Sequence, residues 1–171
     1  MAARLRECQI RCAASSDQCT RSKKRCLRVQ ADELGSFVGS KTNQRWLWLA
    51  IAEQTRLIVG VAIGPRDTHT AEELWYSLPP EYRHRAVCYP DFLKAYAAVL
   101  PSKRHQAVDK ASGQTAHIER LNLTFRQRCS RLVRKTLSFS KKLAKHLGAI
   151  WLFIHDSNAR MLARLHPTTT S

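Results

Sequence analysis

Acidic residues are scarce in this chain. Of 171 residues, 13 are Asp or Glu against 29 Lys or Arg, giving a formal net charge of +16. An excess of that size is an argument about partners, and it favours DNA, RNA or an anionic membrane surface. Long apolar runs are missing too: nothing approaches the roughly 18 residues a spanning helix requires. Arg4, Arg6, Glu7 and Cys8 interrupt the N-terminus, which excludes a signal peptide and leaves a cytoplasmic protein as the expectation. With only 6 glycines there is no Gly-rich phosphate loop and no G-x-S-x-G element, so nucleotide hydrolysis and serine chemistry have no support. Cys8, Cys12, Cys19 and Cys26 lack the paired short spacing of a structural zinc site, and they read as reduced thiols without a function. Cys88 and Cys129 stand alone in apolar surroundings, as small core residues do. The seven histidines are scattered without ligand spacing, and no internal repeat or low-complexity segment occurs.

The remaining composition is that of a folded domain. Hydrophobic residues make up 44%, which is ordinary for a globular protein. Residues 1–27 form a basic, cysteine-containing arm with little apolar periodicity, the ordered domain spans 28–158, and 159–171 is a tail. Three strand signals come in quick succession, at 27–38, 46–52 and 57–63, with hairpin-length breaks between them. The second and third are almost continuously apolar, as central strands covered on both faces are. Thr70 and Glu73 suggest a capping box for a short helix ending at Pro79-Pro80. A strand at 86–89, a helix at 92–100 and a fifth strand at 105–108 follow. Thr115 is placed to cap a helix carrying Ile118, Leu121, Phe125, Cys129 and Leu132 at helical spacing, and a last helix spans 139–158. This order of elements predicts an α/β, ribonuclease-H-like fold with a mixed five-stranded sheet flanked by helices.

In that fold the first strand, the end of the fourth and a later helix converge on one edge. Asp32 lies on the first, Asp91 just after the fourth and Glu119 in the first turns of the helix. Glu119 is the only carboxylate between His117 and Lys145, in a segment otherwise crowded with Arg and Lys. Singly, each acid has a plain structural reading: a rim acid for Asp32, a helix cap for Asp91, a macrodipole partner for Glu119. Together they suggest a divalent-metal site for phosphodiester chemistry, since hard carboxylate oxygens suit magnesium or manganese. Glu33 competes with Asp32 but should point to the opposite face of its strand. The basic run through Arg120, Arg126, Arg128, Arg131, Arg134, Lys135 and Lys141 is short of compensating acids and is read as a phosphate-tracking, DNA-binding face of these basic helices.

These same residues carry a family resemblance. Ala31 to Lys41, with Asp32-Glu33-Leu34-Gly35-Ser36-Phe37-Val38-Gly39, resembles the D-E-x-W-S-F-V-G opening of transposases of the insertion-sequence-one family. Tyr89-Pro90-Asp91-Phe92-Leu93-Lys94-Ala95-Tyr96 resembles its Y-T-D-x-W-x-x-Y segment, and His117-Ile118-Glu119-Arg120-Leu121-Asn122 with Arg126 to Lys141 is similar to its most specific block. The resemblance implies a DDE-type catalytic core in which Asp32, Asp91 and Glu119 hold two magnesium ions, with manganese an alternative. It implies cleavage of double-stranded DNA at element ends and transfer of the freed 3′-hydroxyl into target DNA, on a homo-oligomer assembled on DNA. Asn122 matches a motif position with a supporting role. The chain departs from the pattern at Gly35, Pro90 and Leu93, and residues 1–30 do not resemble the family's recognition region. The rival reading is a non-catalytic DNA-binding remnant or regulatory product of an insertion element; a stand-alone metal-dependent nuclease is a third.

Overall fold

The computed structural model describes residues 27–90, 94–100, 113, 115–133 and 139–166. Asp91, Arg134, Lys135, the strand expected at 105–108 and the four N-terminal cysteines lie outside them.

Among the described residues the centre is a four-stranded mixed sheet of order β3-β2-β1-β4, built from β1 (Arg28–Val38), β2 (Ser40–Ala52), β3 (Ile58–Gly64) and β4 (Val87–Pro90). β1, β2 and β3 form an antiparallel meander, and β4 lies parallel to β1 from Arg28↔Val87 to Ala31↔Pro90. The two apolar runs expected to be central strands covered on both faces are buried throughout, Leu47 to Ala52 of β2 and Ile58 to Ala62 of β3, but only β2 is central: among the described residues β3 is the edge strand, covered by the helices on either face. β2 begins before the expected Trp46. Gly39, the single residue between β1 and β2, takes at φ +75° the left-handed turn conformation that favours glycine, so the chain rejoins the sheet at Ser40 with a register shift after Phe37.

Alternation along β1 sends its side chains to two cores. On one face Val29, Ala31, Trp48, Ala50 and Ala62 pack against helices α1 (Thr68–Ser77) and α3 (Lys94–Val99), through Ala71, Leu74 and Tyr96. Tyr96 meets Trp48 edge-on at 5.4 Å. On the other face Leu34, Leu47, Leu49 and Ile51 pack against α4 (Ala116–Arg128) and α5 (Leu143–Leu165), through Ile118, Phe125, Ile150 and Ile154. The cysteines expected in the core, Cys88 and Cys129, are both buried outside any disulfide, one on each side.

Several element ends differ from the sequence reading. The cap of α1 is Asp67, whose carboxylate accepts from the Thr70 backbone N–H at 2.9 Å and the Thr70 hydroxyl at 2.8 Å, so no Thr70–Glu73 box opens the helix. Pro80 does not end helical structure but begins the short helix α2 (Pro80–Arg85), where a missing N–H costs nothing. α5 starts at Leu143 rather than Phe139 and continues past Asn158 to Leu165; its inward residues are His146, Ile150 and Ile154, while Leu143 is 44% exposed. α4 stops at Arg128. Cys129 turns extended, and the 3₁₀ turn Ser130–Leu132 brings Leu132 back under the sheet. The apolar spacing from Ile118 to Leu132 is therefore satisfied by a helix plus a turn, and Arg131 does not continue the helical face.

Candidate functional site

The site is built where α4 lies along β1. Gln30 and Asp32, two residues apart, project to the same face of the sheet. The Ile118 backbone N–H donates to Gln30 Oε1 at 3.1 Å, and Asn122 Nδ2 donates to Asp32 Oδ2 at 2.7 Å. Two strand residues advance about 6.6 Å and four helix residues about 6.0 Å, so both bonds can form at once and lock the helix to the strand in register. Gln30 also does what Thr115 was expected to do. It satisfies an orphan N–H of the first helical turn, while the Thr115 hydroxyl makes no backbone cap and instead donates to Glu119 Oε1 at 2.9 Å.

Asp32 is half-buried and held at both oxygens. Oδ1 accepts from the Glu33 backbone N–H at 2.8 Å while Oδ2 takes the Asn122 bond. Each carboxylate oxygen has further lone-pair capacity after one such bond, which is the state a cation ligand requires. Asn122 is itself buried, and its Oδ1 makes no hydrogen bond among the described residues. Glu119 sits three residues before Asn122, on a neighbouring position of the same helix flank. Asp32 and the helix carrying Glu119 are thus on one face of the sheet. Among the described residues no three His, Cys, Asp or Glu side chains gather into a metal-sized cluster, and Asp91 is not among those residues. Pro90, the residue before Asp91, pairs with Ala31, the residue before Asp32.

Glu33 faces the opposite side, as alternation requires. Its side chain is 2% exposed and is gripped by Arg66, with Nη2 at 3.0 Å and Nε at 3.2 Å from Oε2. Burial pushes its carboxyl above the ordinary carboxylate range, against the opposing pull of Tyr96 and Arg66. Arg66 also lies over the Trp46 ring, 4.9 Å from its centroid.

The basic residues divide by place. Arg120 and Arg128 are exposed on α4 and Lys141 is exposed before α5. Arg126 and Arg131 are half-buried and line a cleft beside β1; Arg131 donates to the Phe139 carbonyl at 3.3 Å. Sequence reasoning missed a buried polar chain nearby. His146 is fully buried, with Nε2 3.0 Å from Ser36 Oγ and Nδ1 3.2 Å from Ser140 Oγ. The single Ser36 hydroxyl hydrogen goes to the Arg45 carbonyl at 2.7 Å, so Nε2 donates to Ser36 and Nδ1 accepts from Ser140. Burial, helped by the charge of Arg131, holds this imidazole below its ordinary 6.5. An isolated His with no patterned partner gave no signal for such a role.

The IS1 transposase family model matches residues 26–159. The chain is 37% identical over 130 residues to the insertion element iso-IS1n protein InsB of Shigella dysenteriae, covering 75% of this chain and 94% of that protein. It is 38% identical over 118 residues to an insertion element IS1 protein InsB of Shigella flexneri, covering 69% and 86%. An InsB protein of Escherichia coli K12 is 35% identical over 118 residues, covering 69% and 68%.

Proposed function

Since this chain belongs to the IS1 transposase family, we propose that it is a DDE-type catalytic domain that cleaves DNA at insertion-element ends and joins the freed 3′-hydroxyl to target DNA. The observation that carries the reading is the double key between β1 and α4, Gln30 to Ile118 and Asp32 to Asn122, which holds Asp32 and the Glu119 helix on one sheet face. An antiparallel β1–β2–β3 meander with β4 parallel to β1 supports the ribonuclease-H-like assignment.

Asp32, Glu119 and Asp91 are the residues that would hold divalent metal, two magnesium ions or manganese in their place. The donors fit: they are carboxylate oxygens, and Asp32 is oriented by two hydrogen bonds that leave each oxygen able to accept more. When bound, such ions stabilise the attacking and leaving oxygens of an in-line displacement. The chain's own work is positional. Asn122 and the Glu33 N–H fix Asp32, Thr115 fixes Glu119, and Arg126 with Arg131 sets cations beside the strand edge where phosphates would lie. In joining, the 3′-oxygen forms a bond to the target phosphorus, the bond to the target's own 3′-oxygen breaks, and the hydroxyl proton leaves to solvent.

A strand-transfer assay on element-end duplex tests this, with this chain alone and with an upstream recognition region attached. Magnesium-dependent joined product, abolished by EDTA, is the expected result. DNA binding without joining in either form would instead favour the non-catalytic reading.

A further inference from the structure

Among the described residues β1 runs beyond its pairing with β4. Its ladder with β4 ends at Ala31↔Pro90, and the next described contact on that side is the bridge from Val38 to Ser140. The stretch between borders an open cleft of about 520 Å³. That volume is in the range of sites for small ligands, suited to isolated nucleotides rather than to a duplex. Gly35, without a side chain, and Ser36, with a short one, leave room in the lining, and half-buried Phe37 and Trp46 contribute aromatic surface, the Trp46 ring carrying Arg66 4.9 Å from its centroid. Lys41, Arg126 and Arg131 bring positive charge to the same lining. The acid among the lining residues, Glu33, already has Arg66 as counter-ion at 3.0 Å.

This combination distinguishes between two forms of DNA. Tracking the outside of a duplex calls for cations alone, because stacked bases offer no faces there. Cations for the backbone beside aromatic rings for exposed bases are the make-up of a single-strand site. The cleft also reaches the face of the candidate acids: its lining residue Ser36 shares that face with Asp32, four residues along β1, and Arg126 lies one turn beyond Asn122 on α4. We propose that this cleft binds an unpaired DNA segment, holding the end of the reacting strand peeled from its complement, with Lys41, Arg126 and Arg131 on its phosphates and Trp46 and Phe37 against its bases. The proposal rests on the transposase reading for its biological setting but not for its test.

The test is equilibrium binding of the full chain, in EDTA so that no cleavage occurs, to two labelled duplexes differing only in a short single-stranded 3′ thymidine tail. Stacking of even one base is worth about 1 kcal/mol or more, so the tailed duplex should bind at least about fivefold tighter. Trp46→Leu and the double variant Lys41→Ala/Gln44→Ala should each lose that preference while blunt-duplex affinity changes by less than about twofold. Lys41 and Gln44 are exposed on β2, so the double variant keeps the test decisive if Trp46→Leu fails to fold. No tail preference in the wild-type chain, or an undiminished preference in the double variant, overturns the cleft assignment. Equal weakening on both duplexes would also overturn it, because the cleft would then belong to a general duplex surface. Intact duplex binding without tail preference removes this proposal alone, whereas failure to bind any DNA removes the transposase reading with it.

Discussion

Asn122 carries more of the site than its place in the sequence suggests. Its amide donates to Asp32 at 2.7 Å from a buried position, so truncation would free the carboxylate and leave a small void between α4 and β1. Partners of this kind typically cost 10- to 100-fold in metal affinity or activity when removed, and Asn122→Ala should lower joining by about that factor. Asn122→Asp should be no better, because it puts a second carboxylate against Asp32. Turnover measured beside DNA affinity checks this: joining falls while affinity holds. The division between Asp32 and Glu33 was legible beforehand, because a strand sends adjacent residues to opposite faces. The Asn122 bond was not, since it depends on how far α4 slides along β1. Gly35 shows the same limit. It stands where the family pattern has Trp, and a Cβ there would come 3.2 Å from Trp46 Cζ3, so the ring of its cross-strand neighbour already occupies that side.

At the scale of elements, polar side chains fasten α5 to the sheet at two points. Asn158 accepts from the Ile58 N–H at 2.9 Å and donates to the Ile58 carbonyl at 3.0 Å, satisfying both backbone groups of a buried residue at the start of β3. Asn158→Ala leaves both without their partner and should cost about 1–3 kcal/mol, read as a lower urea midpoint at unchanged slope. The second fastening is His146, between Ser36 of β1 and Ser140. Because its imidazole is held below 6.5 in the folded protein, the unfolded chain binds the extra proton as pH falls. Its contribution is therefore complete above about pH 6.5 and declines below it, by at most about 1.4 kcal/mol per pH unit. His146→Gln should flatten the fall in stability between pH 7.5 and 5.5 relative to the wild-type chain; an identical fall would place the sensitivity elsewhere. The strands and α4 were legible because apolar runs and helical spacing fix element type. Helix ends were not: Asp67 replaced Thr70 as the cap of α1, and an extended Cys129 cut α4 short of Arg131.

For the whole molecule, the charge of +16 makes affinity for DNA a salt-dependent quantity. Arg128 and Lys141 are both exposed, one at the end of α4 and one before α5. If both meet phosphate, replacing them together with Ala should weaken duplex binding on every sequence and flatten the plot of log K against log salt by up to about two units. An unchanged slope would return them to ordinary solvated surface. Among the described residues no helix is long and apolar enough to cross a membrane.

The central claim is that Asp32, Asp91 and Glu119 act in catalysis and not in binding. It is tested most directly by measuring magnesium-dependent strand transfer and DNA affinity side by side for the wild-type chain and Asp91→Ala. Removing a metal ligand while leaving phosphate contacts intact should abolish joined product with affinity within about twofold of wild type. Joining that persists in Asp91→Ala would contradict the account.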